Sequence, residues 1–246
     1  MSHSPAPETQ VNTDPASLQF GQQITALADG GWVISWTAFG QDGSGSAVCQ
    51  QAYNADGTTR GVETRVNTHV TGPQVAPQIT ALSGGGWVVT WTSSSQDGDG
   101  YGVYQQAYNA NGTTRGSETR VNTFTDHDQF APQITALTDG GWVVTWQSVG
   151  QDGPDAGIYL QAYDTNGNAL GETRVNTEAA NDQTAPKITA LADGGWVVTW
   201  MSADQDGSGE GIYQQAYDAD GNPIAAGETH VNTHTSGDQF NPKITA

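Results

Sequence analysis

The stretch GGWVVTWQSVGQDG, from Gly140 to Gly153, places two tryptophans in one five-residue run and follows them with a Gln-Asp-Gly loop. Similar phrases begin at Gly30, Gly85 and Gly194. The tryptophans that open the runs, Trp32, Trp87, Trp142 and Trp196, are 55, 55 and 54 residues apart. A fixed period of this length predicts one supersecondary unit per repeat.

Each repeat is predicted to contain four short antiparallel strands. In the third copy, Gln133 to Trp146 reads as two β-rich runs joined by an Asp-Gly turn, which is a strong hairpin signal. Gly157 to Thr177 adds a third strand, an Asn-Gly turn and a fourth strand that ends in the tripeptide VNT. Four such strands make up one blade of a β-propeller.

Side-chain alternation indicates that both faces of each sheet are covered. Trp142, Val144 and Trp146 lie on one face of their strand, and Val143 lies with Thr145 on the other. Blades that stack around an axis need two apolar faces, whereas a sheet with one wet face does not. We therefore expect the paired tryptophans to fill the space between neighbouring blades, where each aromatic side chain buries about 150 to 250 Å².

These patterns predict an all-β fold, a β-propeller of about four four-stranded blades built from repeats of about 55 residues. Residues 1–246 form a single repeat domain in this interpretation. It has an N-terminal partial repeat at 1–23, full repeats at 24–78, 79–133, 134–187 and 188–243, and the start of a further repeat at 244–246. We expect the four blades to close into a ring; the alternative is a slice of a longer array.

The composition restricts the partners and the location. Acidic residues outnumber basic ones 26 to 7, for a formal net charge of −19. Such a field repels nucleic acid and anionic membranes and attracts divalent cations. No apolar run reaches the length of a membrane span, and MSHSPAPETQ has no signal-peptide pattern. The composition favours a segment of a secreted, extracellular protein over a cytoplasmic one, and the single Cys49 is interpreted as a packing residue.

The repeat unit GGWVVTWxSxxQDGSGxGIYxQAYxxxGxxxGETRVNT, spread over residues 24 to 233, resembles the repeats of large, acidic, calcium-associated secreted bacterial proteins of the RTX and adhesin type. It is also loosely similar to repetitive propeller lectins of the tachylectin-2-like and fucose-binding kinds. The resemblance implies a secreted repeat protein with a lectin-like or adhesive role. The glycine-rich nonapeptide of RTX calcium rolls is absent from this sequence.

The loop after the second tryptophan is a candidate calcium site. Calcium takes six to eight oxygen ligands, and carboxylates and carbonyls on a glycine loop can supply some of them. The alternative is an Asx turn, in which the aspartate accepts backbone N–H groups, and this alternative is favoured because each loop holds one or two carboxylates. The candidate calcium ligands are Asp42, Asp97, Asp99, Asp152, Asp155 and Asp206.

Two further sets of repeated side chains are candidates for carbohydrate binding. An indole face can stack on a sugar ring while neighbouring carboxylates and amides bind its hydroxyl groups, and the carboxylates beside the tryptophans are those of Asp42, Asp97, Asp152 and Asp206. The tryptophans are Trp36, Trp91, Trp146 and Trp200, and the glutamines are Gln41, Gln96, Gln151 and Gln205. The competing interpretation is that these tryptophans are buried filler between blades.

Other repeated polar residues have structural interpretations. Asn-Gly and Asp-Gly pairs at the ends of the third strands predict turns whose glycine adopts a left-handed conformation. Glutamates two residues before a mostly basic position predict surface ion pairs along one strand face, at Glu63, Glu118, Glu172 and Glu228. The glutamine that recurs in segments such as Asp128-Gln129 is expected to satisfy the buried backbone of a connector.

Catalytic motifs are missing from the sequence. The histidines follow no metal-ligand spacing, there is no nucleophile elbow or phosphate loop, and every carboxylate pair is copied in each repeat. The sequence therefore predicts that the chain is not an enzyme. We expect an extracellular, non-catalytic module that binds glycans or other cell-surface and matrix components multivalently. The alternative is a structural spacer or self-assembling unit of an adhesin, stabilised by calcium.

Overall fold

The computed structural model describes residues 8–224 and 227–246. The first seven residues of the predicted N-terminal partial repeat lie outside the described residues. The described chain forms 16 β-strands in four four-stranded antiparallel sheets, each with its strands in sequence order. This architecture confirms the predicted all-β propeller fold. No helix among the described residues is long and apolar enough to span a bilayer.

The four sheets repeat the same strand pattern. The first contains β1 (Gln19–Ala26), β2 (Trp32–Phe39), β3 (Ser46–Tyr53) and β4 (Thr59–Arg65), and the second contains β5 (Gln74–Ala81), β6 (Trp87–Ser94), β7 (Tyr101–Tyr108) and β8 (Thr114–Arg120). The third contains β9 (Gln129–Ala136), β10 (Trp142–Val149), β11 (Ala156–Tyr163) and β12 (Ala169–Arg174), and the fourth contains β13 (Gln183–Ala190), β14 (Trp196–Ala203), β15 (Glu210–Tyr217) and β16 (Thr229–His230).

The turns follow from the glycines that the sequence places there. In the turn from β1 to β2, the N–H of Leu27 donates to the carbonyl of Gly31, and Gly30 has φ of 86°. In the turn from β3 to β4, Gly57 has φ of 85°, a left-handed conformation that strains any residue with a Cβ atom. Equivalent glycines in the other sheets have the same sign of φ, so the predicted turn chemistry is confirmed.

Neighbouring sheets pack through two different faces. The aliphatic face of the first sheet, which includes Val33, Val48 and Ala52, lies against the indole face of the second, which includes Trp87 and Trp91. The same pairing of an aliphatic face with an indole face recurs between the second and third sheets and between the third and fourth. Burial of these faces is the main apolar contribution to stability, which confirms that the tryptophans fill the space between blades.

Tyrosines and one amide fix the position of the tryptophans. Trp142 stacks on Tyr163 with ring centroids 5.1 Å apart, and its indole N–H donates to Oε1 of Gln105 in the preceding sheet at 2.9 Å. Trp87 repeats this hydrogen bond with Gln50 at 2.8 Å. Because the indole N–H donates to a glutamine of the preceding sheet, the hydrogen bond fixes the position of one sheet relative to the next.

The four sheets form an open arc, so the expectation of a closed four-bladed ring is wrong for the described residues. β1 lies against β5, β5 against β9 and β9 against β13, and no comparable contact joins β13 back to β1 in the described part of the chain. The free faces are correspondingly exposed: Val231 of the fourth sheet is 48% exposed, whereas its equivalent Val121 is 3% exposed. Three interfaces therefore hold four sheets together.

Candidate functional site

A polar cluster recurs where the loop between the second and third strands meets the end of the fourth strand. In the second sheet it comprises the loop residue Asp97, Tyr104 on β7, Glu118 and Arg120 on β8, and Asn122 just after β8. Tyr104 is anchored by stacking on Trp91, with ring centroids 6.5 Å apart. The cluster brings two carboxylates, a phenol and a guanidinium to one place.

The asparagine of the VNT tripeptide is the hub of this cluster, a role that the sequence analysis did not predict. Asn122 is 2% exposed, and its Oδ1 accepts the backbone N–H of Val103 at 2.7 Å. Its Nδ2 donates to the carbonyl of Phe124, to Oε1 of Gln129 and to Oδ2 of Asp97, at 2.7, 3.0 and 3.2 Å. Gln129 in turn donates to the carbonyl of Asp126 at 2.8 Å, which confirms its expected role in satisfying the connector backbone.

The glutamates do not form the predicted ion pairs along their own strand. Instead, Glu118 Oε2 accepts the backbone N–H of Thr68, at the end of the preceding repeat, at 2.5 Å. Its Oε1 accepts from Gln96 Nε2, also at 2.5 Å. Glu63, Glu172 and Glu228 make the same two kinds of contact. Because charge-assisted hydrogen bonds are stronger than neutral ones, these carboxylates brace one repeat against the next.

The structure places the predicted carbohydrate-binding tryptophans inside the protein. Trp36 is 3% exposed, and Trp91, Trp146 and Trp200 are fully buried. Their ring faces are covered by neighbouring side chains in the interfaces between sheets, or by the N-terminal segment in the case of Trp36. Stacking on a sugar needs an open ring face, so this placement matches the competing interpretation of buried filler.

The predicted carbohydrate-binding glutamines lie in the cluster but use their amide N–H groups internally. Gln41, Gln96, Gln151 and Gln205 each donate Nε2 to the glutamate of their own repeat. Their carbonyl oxygens differ: Gln41 Oε1 accepts from Cys49 and Gln151 Oε1 from Ser148, whereas Oε1 of Gln96 and Oε1 of Gln205 are buried without a partner. Gln96 therefore keeps an unused acceptor beside Asp97.

The candidate calcium ligands are distributed among separate contacts. Asp42 and Asp206 each accept the backbone N–H of the residue two places later, which is the Asx turn that the sequence favoured. Asp99 accepts the backbone N–H of His127 at 3.0 Å, and Asp155 contributes its carbonyl to Gly150 at 3.1 Å. Asp97 and Asp152 bind the VNT asparagines. Residues 8–224 and 227–246 contain no group of three or more His, Cys, Asp or Glu side chains that could hold a metal ion.

The copies of the cluster differ in how the loop aspartate is paired. Asp152 Oδ2 lies 3.4 Å from Nη1 of Arg174, and Asp206 Oδ2 lies 3.4 Å from Nε2 of His230. Asp97 and Asp42 make no ion pair among the described residues, and one oxygen of each, Asp97 Oδ1 and Asp42 Oδ2, is buried with no hydrogen-bond partner, as is Asp206 Oδ2. A buried carboxylate oxygen without a donor is costly unless a ligand or water supplies one. Asp97 thus presents a free acceptor.

Asp97 also lines a cleft of about 580 Å³ between the second and third sheets. Tyr104, Arg120 and Asn122 line it from the second sheet, and Tyr163 lines it from the third. A glycine makes room for the carboxylate, because a Cβ atom at Gly102 would lie 2.5 Å from Asp97 Oδ2. A glycine recurs at the second position of β7, β11 and β15, and this recurrence is the feature of the sequence that indicates a close contact between the strand and the loop aspartate.

The electrostatics of the cleft keep the phenol protonated. Burial first, and then the Asp97 and Glu118 carboxylates, raise the pKa of Tyr104 to about 12 against the opposing effect of Arg120. Tyr104 is therefore a neutral hydrogen-bond donor at physiological pH. In the first sheet Cys49 occupies this position, where burial raises the pKa of its thiol to about 12, so the interpretation of Cys49 as a packing residue agrees with its burial.

Comparison with known proteins gives a likeness of fold. No family model matches the chain, and no curated protein matches it. A mutant α-L-arabinofuranosidase from Fusarium graminearum, solved with an iminosugar inhibitor, has a TM-score of 0.58 at 11% identity, over 92% of this chain and 68% of that chain. An endo-arabinase from Bacteroides thetaiotaomicron (TM-score 0.46, 14% identity, 88% and 76% covered) and the arabinanase of Bacillus subtilis (0.47, 14%, 84% and 76%) are more distant.

The match to the arabinofuranosidase contradicts the expectation of a non-catalytic lectin-like or spacer module and the expectation that the chain is not an enzyme. That protein, whose fold this chain shares, is named as a glycosidase. The repetition of each carboxylate pair in the sequence does not exclude catalysis, because one of several similar blades can carry the working groups. The predicted secretion and the resemblance to RTX and adhesin repeats remain predictions.

Proposed function

We propose that this chain is a carbohydrate-processing enzyme that holds its glycan substrate in the Asp97 cleft. The observation that carries the proposal is the buried Asp97 Oδ1, which has no hydrogen-bond partner and belongs to a residue that lines the cleft. The likeness of the chain's fold to an arabinofuranosidase supports it. A sugar hydroxyl or a glycosidic oxygen is the kind of group that such a carboxyl group can bind. The volume of about 580 Å³ falls within the range of small-molecule sites.

Glycoside hydrolysis uses two carboxyl groups, one of which exchanges a proton with the glycosidic oxygen or the attacking water. In the cleft, Asp97 has the free oxygen that proton exchange requires. Glu118 accepts hydrogen bonds from Gln96 Nε2 and from the backbone N–H and the hydroxyl group of Thr68. We assign proton transfer to Asp97 and the second carboxyl group to Glu118, which belongs to the same polar cluster and binds Gln96 of the cleft lining.

The neighbouring groups orient the substrate in this proposal. Tyr104 donates its hydroxyl proton to a sugar oxygen, because its pKa of about 12 keeps it neutral. Gln96 Oε1 is a second buried acceptor for a sugar hydroxyl. Asn122 holds the Asp97 carboxylate through Oδ2 at 3.2 Å and leaves Oδ1 directed to the substrate.

The proposal is tested by measuring the release of reducing sugar from a panel of polysaccharides that includes arabinan and galactan. Loss of a general acid or base lowers rates by about 10² to 10⁴-fold, so we expect a decrease of that order for Asp97→Asn. The matched control is Asp152→Asn, since Asp152 is paired with Arg174 in the third sheet, and it should retain wild-type activity. Equal rates for wild type and Asp97→Asn, or no cleavage of any polysaccharide by the wild type, would refute the proposal.

A further inference from the structure

A difference between two otherwise equivalent arginines indicates a second site. In the first sheet, Arg60 on β4 is fully paired: its Nη2 donates to Asp29 Oδ2 at 2.6 Å, and its Nη1 donates to the carbonyl of Ala110 at 2.8 Å. Nε of Arg60 donates to Asn54 Oδ1 at 3.1 Å. The first sheet thus gives this guanidinium an internal carboxylate.

The second sheet retains the arginine and lacks the carboxylate. Arg115 is 55 positions after Arg60, and Gly84 is 55 positions after Asp29. Among the described residues Arg115 makes no ion pair or hydrogen bond, and its Nη2 is buried without a partner. Its guanidinium lies over the ring of Trp142, 5.3 Å from the ring centroid, which fixes the orientation of the group. A buried guanidinium N–H that lacks an acceptor is unfavourable unless something supplies one.

The missing side chain leaves a cavity next to this arginine. The cavity has a volume of about 270 Å³, and its lining includes Gly84, Tyr108, Arg115, Asp139 and Thr165. A Cβ atom at Gly84 would have no atom within 4 Å, and Gly84 is not in a left-handed conformation, so the space is open and a side chain can be accepted there. None of the lining residues of this cavity belongs to the lining of the Asp97 cleft.

We propose that this cavity binds the carboxylate of a small hydroxy acid, of the size of one sugar acid, in place of the carboxylate that Asp29 provides in the first sheet. A carboxylate matches the planar guanidinium of Arg115 through charge-assisted hydrogen bonds. The Asp139 carboxylate at the rim accepts from Gly141 N–H through Oδ1, and a ligand hydroxyl can donate to its other oxygen. Asp139 also selects against ligands that carry several negative charges, because it would repel them. The site is independent of the proposed glycan processing.

The test is a titration of the isotopically labelled protein with D-glucuronate, followed by NMR, with D-glucose and acetate as comparison probes. We expect glucuronate to shift the signals of Gly84, Tyr108 and the Arg115 side chain with saturation. Glucose lacks the carboxylate and should bind at least about tenfold more weakly, as expected for the loss of a charge-assisted pair. Acetate lacks the hydroxyl groups and should also bind more weakly.

Two variants make the outcome decisive. Gly84→Asp restores the carboxylate of the first sheet, and Arg115→Gln removes the charge while keeping hydrogen-bonding capacity. Both should weaken glucuronate binding by about tenfold or more, and the wild-type pattern of the other signals should show that the fold is retained. Binding that is unchanged in Gly84→Asp, or equal shifts with glucose and glucuronate, would overturn the proposal. Sugar release is not measured here, so the result stands whether or not the Asp97 cleft cleaves a glycan.

Discussion

Replacement of the hub asparagine by alanine, Asn122→Ala, should be among the most destabilising single changes in the protein. The side chain makes four hydrogen bonds and is 2% exposed. Two of its partners, the N–H of Val103 and Oε1 of Gln129, belong to residues that are 0% exposed, and alanine leaves both without a partner. Each buried polar group that loses its partner costs about 1 to 3 kcal/mol, so the expected loss in the free energy of unfolding for the two groups is about 2 to 6 kcal/mol.

The assay is guanidinium denaturation at neutral pH, followed by tryptophan fluorescence. The chain contains its own matched control, because Asn232 makes the equivalent contacts with the N–H of Ile212, the carbonyl of His234 and Oε1 of Gln239 at the end of the arc. One of these contacts is exposed and the other two are only partly buried, so water can replace the lost partner and Asn232→Ala should cost only about 1 kcal/mol. A loss below about 1 kcal/mol for Asn122→Ala, or equal losses for both variants, would refute the reasoning.

Three further predictions concern the core and the titrating groups. Trp142→Phe should destabilise the protein by about 1 to 3 kcal/mol more than Trp146→Phe in the same denaturation assay. The first change leaves the buried Gln105 Oε1 without its hydrogen-bond donor, whereas the indole N–H of Trp146 has no partner to lose. Glu210→Gln should raise the denaturation midpoint at neutral pH. Burial, and then the Asp238, Asp182 and Asp204 carboxylates, raise the pKa of Glu210 in the folded protein. At neutral pH the ionised Glu210 carboxylate therefore destabilises the fold, and glutamine removes that charge. The gain in stability should vanish below pH 4.5, the ordinary pKa of a glutamate, because Glu210 is then protonated in both the folded and the unfolded protein. A gain that persists below this pH would show that the charge of Glu210 is not its cause. Cys49, with a pKa of about 12, should react with Ellman's reagent only after denaturation, and rapid labelling of the native protein would show that the thiol is accessible.

The repeated part of the fold could be predicted from the sequence because local chemistry determines it. Gly57 and its equivalents require left-handed turns, and the alternation around Trp142 and Trp146 gives each strand two apolar faces. The open arc could not be predicted, since strand patterns describe each sheet and its neighbours but leave undetermined the angle between sheets. That angle depends on the packing of whole faces.

The candidate site was less accessible to sequence reasoning because its contacts cross repeats. Glu118 was assigned to Arg120 on its own strand, but its partner is the backbone of Thr68, 50 residues earlier. The hub could have been found: a glutamine follows the VNT asparagine after seven residues in every sheet, as Gln129 follows Asn122, and the two side chains are hydrogen-bonded. The glycine at position 84 is a departure from the repeat, since Asp29, Asp139 and Asp193 hold the equivalent places. The free oxygen on Asp97 recurs on Asp42 and Asp206, and it is the cleft between the second and third sheets that distinguishes Asp97.

The central claim is that Asp97, in the cleft between the second and third sheets, is the working carboxyl group. The most direct measurement is a crystal structure of the Asp97→Asn variant with a trisaccharide of the polysaccharide that the wild type cleaves. We predict density for the sugar in the cleft between the second and third sheets, with a sugar oxygen within hydrogen-bond distance of residue 97 and of Tyr104. A sugar bound equally at all four loop aspartates, or bound elsewhere with that cleft empty, would contradict the claim.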